Sequence, residues 1–171
     1  MLQGKKLTLR AWRESDIEPL ILLRNDVALQ AQLMTQPRPN SAETVRKWLL
    51  EKSAREDGVF FVVANGSDNN AVGYIQVINF NPLHGVGEFG ICLSPTIQRT
   101  GYGREAFGLL EAYLRNTFAT RKLVAHALAQ NVAAIAFHRQ CGFSEVGRFT
   151  KHFFLNAAYN DVVVMEKHLA P

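Results

Sequence analysis

The stretch Gln98-Arg99-Thr100-Gly101-Tyr102-Gly103-Arg104 decides how the rest of this sequence is read. It follows an apolar run, Phe89-Gly90-Ile91-Cys92-Leu93, that ends at Ser94-Pro95. It precedes a segment, Glu105 to Phe118, whose apolar residues recur at helical spacing. The order is strand, glycine-containing turn, helix. A turn placed there directs backbone N–H groups into one hollow at a helix N-terminus, where they lack partners within the helix. Their dipoles favour an anion such as a pyrophosphate. Gly101 and Gly103 permit a close approach of backbone to phosphate, and Arg99 and Arg104 add charge. A plain strand-to-helix connection with two convenient glycines fits the same residues. The common phosphate loops do not: there is no G-x-x-x-x-G-K-[ST], and the spacing is not G-x-G-x-x-G in a first βα turn.

Gln98-x-x-Gly101-x-Gly103 resembles the acetyl-CoA pyrophosphate loop, Q/R-x-x-G-x-G/A, of the GNAT N-acetyltransferase superfamily. Further along, Asn131-Val132-Ala133-Ala134-Ile135-Ala136-Phe137-His138-Arg139-Gln140-Cys141-Gly142-Phe143 resembles that family's N-x-x-A-I-x-x-Y-x-x-x-G-F. The spacing from Asn131 to Gly142-Phe143 is kept, and the resemblance runs over residues 7–168. It implies a single N-acetyltransferase domain over residues 1–171. The implied fold is α/β (α+β): a mixed, mostly antiparallel sheet of about six to seven strands flanked by helices. Two neighbouring parallel strands would splay apart at the cofactor site.

Length and composition agree with one domain. The chain has 171 residues, 47% apolar and 20% charged, enough to bury a full core. No apolar run approaches the ~18 residues of a membrane span, and Met1 to Arg13 carries no apolar signal region. A cytoplasmic location is expected, with Cys92 and Cys141 as buried free thiols and no metal site. The net charge of +4 suits an anionic cofactor. Basic residues are scattered among acidic ones, so nucleic-acid binding is not expected.

In order, Lys6 to Arg10 alternates as a strand does. Glu14-Ser15-Asp16 offers caps for a helix through Arg24, resumed over Val27 to Leu33. Gln36-Pro37-Arg38-Pro39-Asn40 breaks it. Ser41 caps a helix with Val45, Trp48, Leu49 and Leu50 on its buried side. Val59–Ala64, Val72–Phe80 and Val86–Leu93 read as an antiparallel meander. Lys122–Leu128 is a strand, Asn131 opens a short helix, and strands about Phe143–Phe149 and Asp161–Lys167 flank a loop from Lys151 to Asn160.

Acetylating an amine from a thioester requires a proton acceptor for the amine, a hydrogen-bond donor for the carbonyl, and a tolerable leaving thiolate. The resemblance assigns carbonyl polarisation and the pantetheine arm to the backbone of Ile91, Cys92 and Leu93. It assigns cofactor binding to Gln98, Arg99, Thr100, Gly101, Tyr102, Gly103, Arg104, Asn131, Phe137 and His138. Glu88, among apolar and glycine neighbours, is the first candidate for the base, with an expected raised pKa; a solvated strand glutamate is the plain alternative. His84 and His152 lie in loops expected near the acceptor. His138 stands where the family commonly carries a tyrosine, as thiolate acid or as a cofactor contact; Tyr102 and Tyr159 are fallback acids.

Gly142 to Arg148, then His152-Phe153-Phe154-Leu155-Asn156, Tyr159 and Asp161, resemble the RimJ/RimL-like branch and the bacterial spermidine and nucleotide-amino-sugar acetyltransferases. Leu9-Arg10-Ala11-Trp12 with Ser15-Asp16 resembles that branch's opening. The acceptor-side loops, Met34–Asn40 and Lys151–Asn160, carry Arg38, Lys151 and His152 and little acid. That favours a nucleotide-linked amino sugar or a protein N-terminus over spermidine. The alternatives are polyamine acetylation or acetyl-CoA binding without catalysis. Membrane association is not expected, and a homodimer is left open.

Overall fold

The computed structural model describes residues 1–169. Eight strands form one sheet in the order β1-β2-β3-β4-β5-β6-β8-β7. They are β1 (Leu2–Gln3), β2 (Leu7–Arg10), β3 (Val59–Asn65), β4 (Ala71–Asn81), β5 (Val86–Leu93), β6 (Lys122–Leu128), β7 (Ser144–Leu155) and β8 (Ala158–His168). Every neighbouring pair is antiparallel except β5 with β6. The helices are α1 (Ile17–Asn25), α2 (Val27–Gln32), α3 (Ala42–Ser53), α4 (Tyr102–Thr117) and α5 (Val132–Gln140). The strand beyond the expected count is β1, whose length of two residues is too short to leave a pattern.

Side chains that alternate across the strands supply two cores, one on each face. Val63, Ile75, Val77, Phe89, Leu123 and Ala125 pack with Ala106, Phe107, Leu110 and Leu114 of α4. Val62, Tyr74 and Cys92 pack with Ile17, Leu20 and Leu23 of α1 and Val45 and Leu49 of α3. The α4 residues recur every three or four positions, which puts one stripe on the sheet. Ser41 caps α3 as expected, its Oγ accepting from Thr44 N at 3.2 Å. Leu50, expected on the buried side, is 55% exposed; Trp48 instead meets Phe60 and Tyr74 edge-on.

Two expectations change. Asp16 does not cap α1 through its side chain. Its Oδ2 and Oδ1 accept from Arg10 Nη1 and Nη2 at 2.7 and 2.8 Å, tying α1 to β2. The expected loop from Lys151 to Asn160 is a hairpin: β7 and β8 meet at Asn156-Ala157, with φ of 53° and 59°. Both residues are left-handed, as a two-residue hairpin turn requires.

Candidate active site

The parallel ladder of β5 and β6 pairs Val86 with Lys122, Gly87 with Leu123 and Glu88 with Val124, and then stops. Beyond it β5 stays paired with β4 as far as Leu93, while β6 stays paired with β8 as far as Leu128. The two strands therefore part. Among the described residues, the edge of Phe89–Leu93 turned toward β6 has no strand partner. Ile91, Cys92 and Leu93 are on that length. The Cys92 side chain lies in the opposite direction to solvent, 1% exposed, with burial pushing its thiol up to about 12. At Cys92 only the backbone is left to meet a ligand.

The loop after β5 rises to the N-terminus of α4. Gln98 Nε2 donates to Leu93 O at 3.2 Å, closing the strand end. Arg99 and Gly101 both have positive φ, 63° and 90°, which turns successive N–H groups to one side. Lys6 Nζ donates to Thr100 O at 2.8 Å, and Lys6 N donates to Glu105 Oε1 at 2.8 Å. Arg99 and Arg104 are exposed beside the loop. A Cβ on Gly103 would come within 2.9 Å of Phe137 Cε2, so α4 and α5 meet closely at this position. The expected helix thus begins at Tyr102 rather than Glu105, and its first turn lies against the end of β5, where a Cβ on Gly103 would also come within 3.5 Å of Leu93 Cδ1. These features fit a pyrophosphate and its pantetheine arm.

Asn131 Oδ1 accepts from Ala134 N at 3.0 Å, capping α5. The Tyr102 hydroxyl donates to Asn65 Oδ1 at 3.1 Å, at the end of β3. Tyr159 is 67% exposed on the hairpin against Phe154.

His138 lies in the core. It is 6% exposed, with Phe89, Phe137 and Phe143 around it at ring-centre distances of 5.9, 5.6 and 5.5 Å. Burial pushes its pKa down to about 4, and its Nδ1 has no hydrogen-bond partner. At neutral pH this imidazole holds no transferable charge, which argues against the thiolate-acid expectation.

On the opposite side of the strand gap a groove of about 370 Å³ is lined by Glu88, His126, Phe149 and Val162, with Leu33, Met34, His152 and Phe153 at its walls. That volume suits a small ligand. Glu88 Oε1 lies 3.2 Å from His126 Nδ1, and Glu88 Oε2 accepts from Asn79 Nδ2 at 3.2 Å. The expected rise of the Glu88 pKa is not found. The His126 hydrogen bond outweighs burial and holds the carboxyl below its usual range, with Asn79 and Lys52 acting in the same direction. Met34 and His152 reach the groove as expected. His84 does not line it; its carbonyl accepts from Arg121 Nε at 2.8 Å in the β4–β5 turn.

His126 was not singled out in the sequence. It reads as one polar residue in the apolar strand Leu123-Val124-Ala125-His126-Ala127-Leu128. Its one signal is alternation, which puts it on the face away from Leu123, Ala125 and Ala127.

Comparison with known proteins decides the family. Residues 6–144 match the acetyltransferase (GNAT) domain. The chain belongs to the GNAT acetyltransferases. A spermidine N(1)-acetyltransferase of Vibrio cholerae is 26% identical over 159 residues, 93% of this chain and 91% of that protein. A spermidine N(1)-acetyltransferase of Escherichia coli K12 is 30% identical over 168 residues, 96% and 87% of the two chains. An aminoglycoside N(6')-acetyltransferase of Stenotrophomonas maltophilia is 28% identical over 130 residues, 72% and 83% of the two. Among solved structures, the Vibrio cholerae spermidine N-acetyltransferase in complex with CoA and spermine superposes with a TM-score of 0.88 at 25% identity, covering 97% of each chain. This GNAT protein is an acetyl-CoA-dependent N-acetyltransferase with the mixed α/β fold and parallel strand pair the resemblance implied. Among its described residues no helix is long and apolar enough to cross a membrane.

Proposed function

We propose that this GNAT domain, residues 1–171 as one unit, acetylates a primary amine of an aliphatic polyamine. The observation that carries the reading is the parting of β5 from β6 at Glu88 and Val124. It joins the anion-binding turn at α4 on one side to the groove at Glu88 on the other. Acetyl-CoA supplies an activated acetyl group. The backbone of the turn and of Ile91–Leu93 holds and polarises it, and Gly103 and Phe137 set the width of its seat.

The acceptor's reacting ammonium is drawn to the Glu88 carboxylate, which the lowered pKa keeps charged. The faces of Phe149 and Phe153 can take the methylene segments and the next ammonium of a polyamine. The curated relatives that act on spermidine, and the neighbouring structure with spermine, support this acceptor over the one favoured by loop charge. His138 is read here as packing. Self-association as a homodimer remains part of the proposal, along β7, which ends the sheet.

One observation favours a second reading. Among the described residues, Glu88 is the single carboxylate lining the groove, and His152 stands on its wall. An acceptor with one amine and its own negative charge, such as a nucleotide-linked amino sugar, would match that balance. Thiol release from acetyl-CoA across spermidine, spermine, a nucleotide amino sugar and a peptide with a free N-terminus separates them. Polyamine turnover at the highest kcat/KM supports the first reading, and preference for the amino sugar supports the second.

A further inference from the structure

The groove holds a residue that neither the motif nor the family match singles out. His126 sits two positions past the last β5–β6 pair, where the strands begin to part. Its Nδ1 is 3.2 Å from Glu88 Oε1. Its ring stacks on Phe149, with centres 6.0 Å apart and planes at 25°. Its side chain keeps 24% of its surface exposed, and it lines the groove. Behind it the carboxylate is fixed in turn. Asn79, in a left-handed conformation at φ 52°, donates to Glu88 Oε2. Arg55 Nη2 donates to Asn79 Oδ1 at 3.1 Å, and Arg55 pairs with Asp57.

A carboxylate bonded to one nitrogen of an imidazole fixes the ring's tautomer. Here the proton belongs on Nδ1, donated to Glu88, which leaves the Nε2 lone pair free. No described residue bonds Nε2. Glu88 itself is the weaker proton acceptor, since its contacts with His126 and Asn79 hold the carboxyl below its usual range.

We propose that His126 is the proton acceptor for the amine, and that Glu88 is the positioning residue that orients it. This rests on the acetyl-transfer reading above. One proton leaves the ammonium for Nε2. The N–C bond then forms as the thioester C–S bond breaks, with the electron pair leaving on sulfur. The first proton passes from Nε2 to water. The second, made acidic as the nitrogen gains the acyl carbon, leaves that nitrogen through the freed Nε2 for the departing sulfur, giving a neutral amide and a thiol. The charged and titratable groups around His126 are Glu88 on β5, His152 on β7, the Lys122–Glu166 pair between β6 and β8, and Lys52 on α3, which acts on Glu88.

The test compares His126→Gln and Glu88→Gln for kcat/KM against pH with spermidine, alongside acetyl-CoA affinity by calorimetry. His126→Gln is expected to lose on the order of a hundredfold near neutral pH. Its rate should climb steadily with pH and lose the wild-type plateau, with acetyl-CoA binding unchanged. Glu88→Gln should keep the plateau that His126→Gln loses, with a smaller fall in rate because the ring is less firmly held. A His126→Gln enzyme within threefold of wild type overturns the proposal, as does a Glu88→Gln loss larger than that of His126→Gln. A second measurement needs no acceptor: long-range ¹H–¹⁵N spectra of the imidazoles in the intact protein. A neutral His126 protonated on Nδ1 is expected, and one protonated on Nε2 overturns the assignment. If spermidine is not turned over but another amine is, the polyamine reading alone fails, and the same two variants with that amine, together with the tautomer, decide this one.

Discussion

Gly103 and Phe137 touch where α4 and α5 converge: a Cβ on the glycine would stand 2.9 Å from the ring edge. The glycine is needed for this approach rather than for its backbone conformation. Gly103→Ala should move the partly buried Phe137 ring, with a stability loss of about 1 kcal/mol. Gly103→Val should raise the KM for acetyl-CoA at least tenfold. Initial-rate kinetics at saturating amine would show it, and an unchanged KM in Gly103→Val would mean that Gly103 and Phe137 do not shape the seat.

His138 couples stability to pH. Its pKa is about 4 in the folded protein against about 6.5 in an unfolded chain. Above pH 6.5 both states are neutral, and the residue adds no pH dependence. As pH falls from there toward 4, the unfolded chain takes up a proton that the folded protein refuses, so stability falls by up to about 1.4 kcal/mol per pH unit. Urea titrations at pH 7 and 5 should therefore show a loss at pH 5. His138→Leu should flatten that loss and keep turnover within threefold of wild type. A pH slope identical in the variant would place the acid sensitivity elsewhere.

Arg10 and Asp16 form an ion pair whose side chains are 4% and 2% exposed. Asp16 Oδ2 also accepts from Arg13 N at 2.7 Å. Removing one member leaves the other charge buried without its partner, at roughly 3–5 kcal/mol. Asp16→Ala should lower the urea midpoint accordingly. A loss under 1 kcal/mol would show that water reaches Arg10 in the variant.

Asn79 links Arg55 to Glu88 from a left-handed position. Asn79→Gly keeps the backbone conformation and deletes the bond to the carboxylate. Stability should hold within about 1 kcal/mol. Turnover should fall several-fold with acetyl-CoA affinity unchanged, because the carboxylate that orients His126 loses one of the two bonds that fix it. A turnover equal to wild type would remove Asn79 from the chain of contacts behind His126.

The turn at Gln98–Arg104 was legible because its chemistry is local. Glycines, arginines and a following apolar stripe lie within one strand–turn–helix unit, and the structure keeps that order with α4 starting at Tyr102. The meander was legible from β-branched and aromatic runs separated by turn residues. The β7–β8 hairpin was not. Its left-handed positions are Asn156 and Ala157, and alanine gives no sign of positive φ. Asp16 looked like a cap because its partner, Arg10, is reached across a turn. The site was half legible for a related reason. Glu88 could be picked out on its own strand, but the direction of its pKa depends on His126, 38 residues away and adjacent only once β5 and β6 align. His138 shows the converse, since nothing in its motif says that Phe89 and Phe143 will enclose it.

The most direct test is the initial rate of thiol release from acetyl-CoA with spermidine, measured for the wild-type protein beside His126→Gln and set against acetyl-CoA affinity in both. The expected result is spermidine-dependent release that collapses in the variant while acetyl-CoA still binds. Tight acetyl-CoA binding with no release above background for spermidine or any other amine would contradict the proposed acceptor chemistry at this groove.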